Sequence, residues 1–203
     1  AARVGLCKMK EEIKIHLRES CEIINLMIED EKLINVINLT VQKIINSLKK
    51  GNKVITAGNG GSASDSQHFV GELVSRFNFD RPGLNAISLN TNTTNLTAIA
   101  NDYGYENLFK RQLEAIGKKG DVFIAYSTSG MSSNILAALK VAKNNLDIFT
   151  IVMGGSRDSI MKNICDYYIE IPSSETPKIQ EGHAVVGHII CCLIEKEMFE
   201  NIN

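Results

Sequence analysis

The chain has 203 residues, 44% of them hydrophobic and 22% charged, which is enough for one globular domain with a full core. Its net charge of −1 argues against a nucleic-acid-binding protein, which carries a basic excess. No apolar run approaches the roughly 20 residues of a membrane span, so no membrane partner is expected.

Residues Ala1–Lys14 alternate basic and apolar side chains without the apolar centre of a signal peptide, and a cytoplasmic protein is expected. Met9 would begin a sensible helix, which leaves Ala1–Lys8 as either an addition or the product of an upstream start. The five cysteines (Cys7, Cys21, Cys165, Cys191, Cys192) contain no C-x-x-C pair. Cys191 and Cys192 sit in an apolar run, where a thiol behaves as a small hydrophobe. All five are expected as structural thiols of a reducing compartment.

In chain order, Ile13, Leu17, Cys21, Ile24, Met27 and Ile28 recur near every 3.6 residues and predict an amphipathic helix over 9–30. A second helix, over about 32–49, carries Leu33, Val36, Ile37, Leu39, Val41, Ile44, Ile45 and Leu48 and stops at Gly51. With no strand before them, these helices must bury their apolar faces on a later domain or on another subunit. The reading separates a helical region, 1–43, from a single domain, 44–203. From Lys53 onward short apolar runs predict strands at 53–57, 85–89, 121–126, 147–152 and 166–171. Helices are predicted over 62–76, 92–100, 105–117, 131–145, 157–164 and 178–199. Such alternation predicts an α/β domain whose parallel sheet is covered on both faces.

Two strand ends run into small residues. The first reads Gly58-Asn59-Gly60-Gly61-Ser62, where backbone N–H groups and a helix N-terminus favour an anion. Gly58, Gly60 and Ala63 also fit the dinucleotide fingerprint G-x-G-x-x-G/A, with Asp80 about 20 residues on as a candidate ribose ligand. The loop thus reads as a dinucleotide site, a sugar-phosphate site or a plain turn. The second stretch is Ser127-Thr128-Ser129-Gly130, with Ser132 close behind. One capping serine would explain one hydroxyl; four hydroxyls together read as an anion cradle. Asn101-Asp102-Tyr103-Gly104 reads as a polar turn that would line the same cleft.

His68 and Glu72 are four apart on a predicted helix and so share one face. Gln180 and His188 are eight apart on another, about 80° out of line. Polar groups in an otherwise apolar helix need partners if buried. His16 reads as a surface residue of the first helix, and His183 as a neighbouring or rim contact.

GNGGSASDSQHF, the ANDYG turn, STSG and IQEGHAVVGH together resemble the sugar isomerase (SIS) domain family, and within it the phosphoheptose isomerases. The resemblance runs from about Ile44 to Phe199. It implies a doubly wound five-stranded parallel sheet in flavodoxin-like order, and it makes the dinucleotide fingerprint a false positive. It assigns a zinc site to His68, Glu72, Gln180 and His188, with Glu72 and His188 as the catalytic pair. Asn59, Gly60, Gly61 and Ser62 match the substrate loop, Asn101 and Asp102 a sugar-contacting turn, and Ser127, Thr128, Ser129 and Ser132 the phosphate loop. Glu72 and Gln180 also count among the substrate contacts.

The implied activity is isomerisation of sedoheptulose 7-phosphate to D-glycero-D-manno-heptose 7-phosphate through an enediol. In the family this begins heptose synthesis for lipopolysaccharide, capsule or other surface glycans. A homotetramer with active sites between subunits is implied as well. Other SIS relatives bind the replication initiator protein DnaA without catalysis, or sense sugar phosphates; Glu72 and His188 argue for the enzyme. Two positions depart from the family pattern. Gly71 stands in mid-helix, which suggests close backbone packing, and Met131 stands where a polar residue is usual, at the sugar end of the site.

Overall fold

The computed structural model describes residues 2–200, with side chains from Lys8 onward, so Cys7 and the start of the chain lie outside the described side chains. The two leading helices are α1 (Ala2–Glu29) and α2 (Glu31–Lys49). Asp30 separates them. Its carboxylate accepts the N–H groups of Lys32 and Leu33 at 2.9 and 3.0 Å, and this N-cap restarts the helix in a new direction. Gly51, at φ +79°, ends α2 as expected.

Five strands follow: β1 (Val54–Gly58), β2 (Ala86–Ser88), β3 (Val122–Tyr126), β4 (Phe149–Gly155) and β5 (Tyr167–Ile171). They form one parallel sheet in the order β2-β1-β3-β4-β5, the flavodoxin-like order. Between and after them lie α3 (Gly61–Val74), α4 (Thr93–Tyr103), α5 (Leu108–Ile116), α6 (Ser133–Asn145) and α7 (Thr176–Phe199). The predicted helix over 157–164 shrinks to a 3₁₀ turn, Ile160–Asn163, because few residues separate the end of β4 from the start of β5.

Alternate residues of each strand feed opposite cores. Val54, Val122, Ile124 and Ile151 pack with α2, α3 and α7, while Ile55, Phe123, Ala125 and Val152 pack with α5 and α6. The leading helices divide sharply in their burial. On α2, Leu33, Ile37, Val41, Ile44 and Ile45 are buried within the domain core. On α1, Met27 is buried, but Ile13, Leu17, Ile24 and Ile28 of the predicted apolar stripe stay exposed in the single chain. No described helix is long and apolar enough to cross a membrane.

Candidate active site

The chain leaves β1 for β2 on one side and then builds β3 on the other, so a topological switch lies between β1 and β3. Ligands of open α/β sheets sit outside the strand ends at such a point. Gly58–Gly61 follows β1 and Ser127–Ser132 follows β3, so both predicted loops flank that crevice.

The first loop has reasons for its glycines. Gly60 adopts φ +57° and ψ −124°, a conformation that side chains disfavour. A Cβ on Gly58 would strike the Ser62 backbone, and one on Gly61 would strike the Gln180 amide. The chain therefore turns tightly into α3, with the Ser62 and Ala63 N–H groups donating to the Asn59 and Gly60 carbonyls at 3.0 Å each, so that the helix N-terminus lies at the crevice end of the sheet. Ser62 is buried beneath this turn.

The dinucleotide reading fails on topology. Asp80 lies between α3 and β2, at the amino edge of the sheet, opposite the glycine loop. The residues that do emerge at the end of β2 are Leu89 and Asn90. The Asn90 amide grips Gly58 from both sides, accepting its N–H at 3.1 Å and donating to its carbonyl at 2.9 Å.

In the second loop the Ser127 hydroxyl accepts the Gly130 N–H at 3.1 Å and the Ser129 hydroxyl accepts the Met131 N–H at 3.2 Å. Both oxygens shape the loop and leave their hydroxyl protons to point elsewhere. Gly130, at φ +65°, packs against Ser159, whose hydroxyl donates to the Gly130 carbonyl at 3.0 Å. Ser132 occupies the N-cap position of α6 but makes no side-chain capping bond. An ordinary cap would use that oxygen on the helix. Thr128 is half-buried beside them, and Met131 is 62% exposed just beyond.

Asn101 and Asp102 are not in a free turn. They occupy the last turn of α4, exposed, with the Asn101 amide donating to the Asp102 carboxylate at 2.8 Å.

The predicted chemical groups meet at the other end of α3. His68 Nε2 lies 3.0 Å from Glu72 Oε1 and 3.3 Å from His188 Nε2 on α7. One potential ligand atom from each residue lies within 4.8 Å of the others. The two imidazoles meet edge to face at 4.9 Å, and Phe77 packs on His188 at 5.6 Å. Gln180 is not part of this cluster in the single chain. It sits against Gly61, and eight residues of helix, roughly 12 Å, separate it from His188.

Behind the cluster lies a pair, His183 and Asp65, of which the sequence reading placed His183 at the rim. His183 is not a rim residue but is 1% exposed, with Nε2 on the Gly154 carbonyl at 3.2 Å. Its Nδ1 lies 4.0 Å from Asp65 Oδ2, and neither atom has a hydrogen-bond partner. Burial holds His183 down to about 4 and pushes Asp65 up to about 6, the latter opposed by the charge of His68.

Arg81 and Glu195 were not anticipated at all. Their side chains are 2% and 1% exposed and pair at 3.0 Å. Arg81 also donates to the carbonyls of Glu72 and Leu73 at 2.8 and 2.6 Å, capping the end of α3 that carries Glu72. Glu195 accepts the N–H groups of Phe77 and Asn78 at 2.8 and 2.6 Å, and so seats the loop that lays Phe77 on His188. One signal existed in the sequence. Glu195 interrupts an apolar helical run seven residues after His188, on the same face.

The SIS domain profile matches residues 18–155. A phosphoheptose isomerase of Aneurinibacillus thermoaerophilus is 50% identical over 193 residues, covering 95% of this chain and 97% of that one. The chain belongs to the phosphoheptose isomerase branch of the SIS domain family. Phosphoheptose isomerase 2 of Campylobacter jejuni is 52% identical over 187 residues, covering 92% of each chain. Among solved structures, a phosphoheptose isomerase from Francisella tularensis superposes with a TM-score of 0.87 at 30% identity, covering 92% of this chain and 97% of that one. Like these phosphoheptose isomerases over nearly its whole length, the chain has both its α/β domain and most of its leading helices within the similarity.

Proposed function

We propose that the protein converts sedoheptulose 7-phosphate to D-glycero-D-manno-heptose 7-phosphate, an aldose–ketose isomerisation. The observation that carries this reading is the meeting of Glu72 and His188, from distant parts of the chain, in one cluster with His68. Non-catalytic relatives that bind DnaA, or sense sugar phosphates, have no need of such a pair.

In this reading Ser127, Thr128, Ser129 and Ser132 hold the phosphate, helped by the N-terminal dipole of α6. Asn59, Gly60, Gly61 and Ser62 form the sugar loop, with Asn101, Asp102 and Gln180 at its borders. Glu72 takes a proton from C1 while His188 gives one to the C2 carbonyl oxygen, forming the enediol. The proton then returns to C2, and the C1 hydroxyl gives up its own to leave the aldehyde. Nothing is gained or lost overall.

Zinc or a similar divalent ion fits the cluster. His68 Nε2 faces both Glu72 and His188, and one nitrogen cannot donate to both, whereas three lone pairs converging on a cation are all satisfied. Bound there, such an ion would polarise the carbonyl and stabilise the negative charge developing on oxygen. Ligation weakens a carboxylate as a base, so the ligand and base roles of Glu72 belong to different states. Elemental analysis of the purified protein tests the ion.

The complete site is read as shared between subunits of a homotetramer. Glu72 lies about 11 residues, roughly 16 Å of helix axis, from Gly61, so cradle and cluster occupy opposite ends of α3 in one chain. Gln180 reaches the cradle end alone. The exposed apolar stripe of α1 supplies a surface for assembly, so the helical region 1–43 is assigned both to packing on the domain, through α2, and to assembly, through α1. A cytoplasmic location and delivery of product to surface-glycan heptose synthesis complete the reading.

Proton NMR of sedoheptulose 7-phosphate in deuterated water tests the reaction. Loss of a C1 proton signal with growth of an aldose anomeric signal is expected; an unchanged spectrum refutes the proposal. Mixing Glu72→Gln and Ser129→Ala subunits tests the sharing, since only a shared site regains activity in hybrids.

A further inference from the structure

Two side chains with no assigned role, Asn134 and Tyr105, meet Asn59 on the glycine loop. Asn59 and Asn134 form a reciprocal amide pair, each Nδ2 donating to the other's Oδ1 at 2.9 Å. The Tyr105 hydroxyl donates to the same Asn59 Oδ1 at 2.8 Å. The Ile135 N–H donates to Asn134 Oδ1 at 2.9 Å. Asn134 is 1% exposed, whereas Tyr105 is 57% exposed.

An amide oxygen has two lone pairs. Both of those on Asn59 are engaged by Asn134 and Tyr105, and both of those on Asn134 by Asn59 and Ile135. The Asn59 side chain therefore offers a sugar no acceptor; one side-chain N–H is what remains of it. Its side chain works as an anchor. The anchor also joins three separate segments. Asn59 lies in the glycine loop, Asn134 in the first turn of α6 directly after the phosphate loop, and Tyr105 directly beyond the Asn101–Asp102 end of α4.

Gly60 makes this anchoring necessary. A loop whose next residue is a glycine at positive φ has many conformations of similar energy. Asn90 holds Gly58 from the β2 side, and Asn134 holds Asn59 from the β3 side, so the loop is gripped from both neighbours of β1.

We propose that Asn134 and Tyr105 are positioning residues that lock the glycine loop to the phosphate loop and to the α4 border, fixing where the sugar of a bound sugar phosphate lies. The proposal rests on the sugar-phosphate reading above. Neither residue needs to touch the reacting atoms. Their effect is to hold the loop in its binding shape before substrate arrives, so that binding energy is not consumed in ordering it.

The experiment compares wild type, Tyr105→Phe and Asn134→Ala with sedoheptulose 7-phosphate as substrate and inorganic phosphate as competitive inhibitor. Removing one neutral hydrogen bond predicts a KM for Tyr105→Phe raised about 2- to 13-fold. Its kcat should stay within about two-fold, and the phosphate inhibition constant should not move, because the phosphate loop itself is intact. Asn134→Ala should raise KM further and weaken phosphate as well, since it loosens the first turn of α6. Tyr105 is exposed, so its variant folds even if Asn134→Ala does not. A KM for Tyr105→Phe within two-fold of wild type overturns the proposal, as does an equal weakening of substrate and phosphate, which is what general loosening would give. A wild-type enzyme that does not turn the substrate over at all removes the sugar-phosphate reading first, and the locking role with it.

Discussion

Glu195→Gln isolates the charge of the buried Arg81–Glu195 pair while keeping the shape of the side chain. The carboxylate accepts three donors: the Phe77 N–H and Arg81 Nε on Oε1, and the Asn78 N–H on Oε2. A glutamine oxygen in the Oε1 position keeps two of them and turns its NH₂ group toward the Asn78 N–H, donor against donor. The Arg81 guanidinium, 2% exposed, loses its counter-charge. Breaking such a pair from one side costs about 3–5 kcal/mol. At about 2–4 °C per kcal/mol for a chain of this size, the melting temperature should fall by roughly 6–20 °C at pH 7.

The assay carries its own control. Burial pushes the Glu195 carboxyl up, but the Asn78 and Phe77 N–H groups and Arg81 outweigh it and hold it below the ordinary value. A depressed carboxyl contributes stability above its unfolded pKa, near 4.3, and loses it as pH falls through the folded pKa. Wild type should therefore approach the variant as pH falls below about 4. Calorimetry of both proteins from pH 7 to pH 3, at one protein concentration, measures the difference. A melting temperature within 2 °C of wild type at pH 7, or a gap as wide at pH 3 as at pH 7, would refute the reasoning. In the folded variant kcat should also drop, because Phe77 and the end of α3 lose their anchor beside His188 and Glu72.

Three further outcomes are expected. Glu72→Gln should lower turnover about 10²- to 10⁴-fold and abolish exchange of the C1 proton with deuterated water; exchange at the wild-type rate would show that Glu72 is not the base. Gly71→Ala should stabilise by about 1 kcal/mol, because open space surrounds that Cβ position in the chain; a loss of stability in thermal melts would mean that another subunit packs there. His183, held down to about 4, favours the folded state less as pH drops from about 6.5, while Asp65, raised to about 6, acts in the opposite sense between about 4 and 6. Asp65→Asn removes the opposing contribution, so urea unfolding should show stability falling more steeply from pH 6.5 to pH 4 than in wild type; parallel curves would count against the assignment.

Local pattern carried much of this protein. Short apolar runs between helical stretches located the five strands, and 3.6-residue spacing located α1 and α2, because burial on a sheet or a helix face imposes its own period. The small-residue loops after β1 and β3 were legible for a similar reason: close backbone approach and anion binding need glycine and hydroxyls wherever they occur. His68 and Glu72 could be paired from their spacing alone.

What local pattern could not settle was how distant segments pack on one another. Gly71 reads as a tight contact but meets open space, and His183 reads as a rim residue but lies in the core, because packing partners come from other elements. The helical signal over 157–164 gave way to the short span between β4 and β5. Gln180 and His188 share a helix, yet in the single chain only His188 joins His68 and Glu72, since a helix rises too far in eight residues to bring both to one point. Arg81–Glu195 and the Asn59–Asn134–Tyr105 contacts have no local signature, because a hydrogen bond between remote loops leaves no periodicity in either. Residue type and spacing determined which chemistry this chain can carry; the parallel order of the sheet decided which of those residues meet, because each crossover delivers its loop to one edge and its helix to one face.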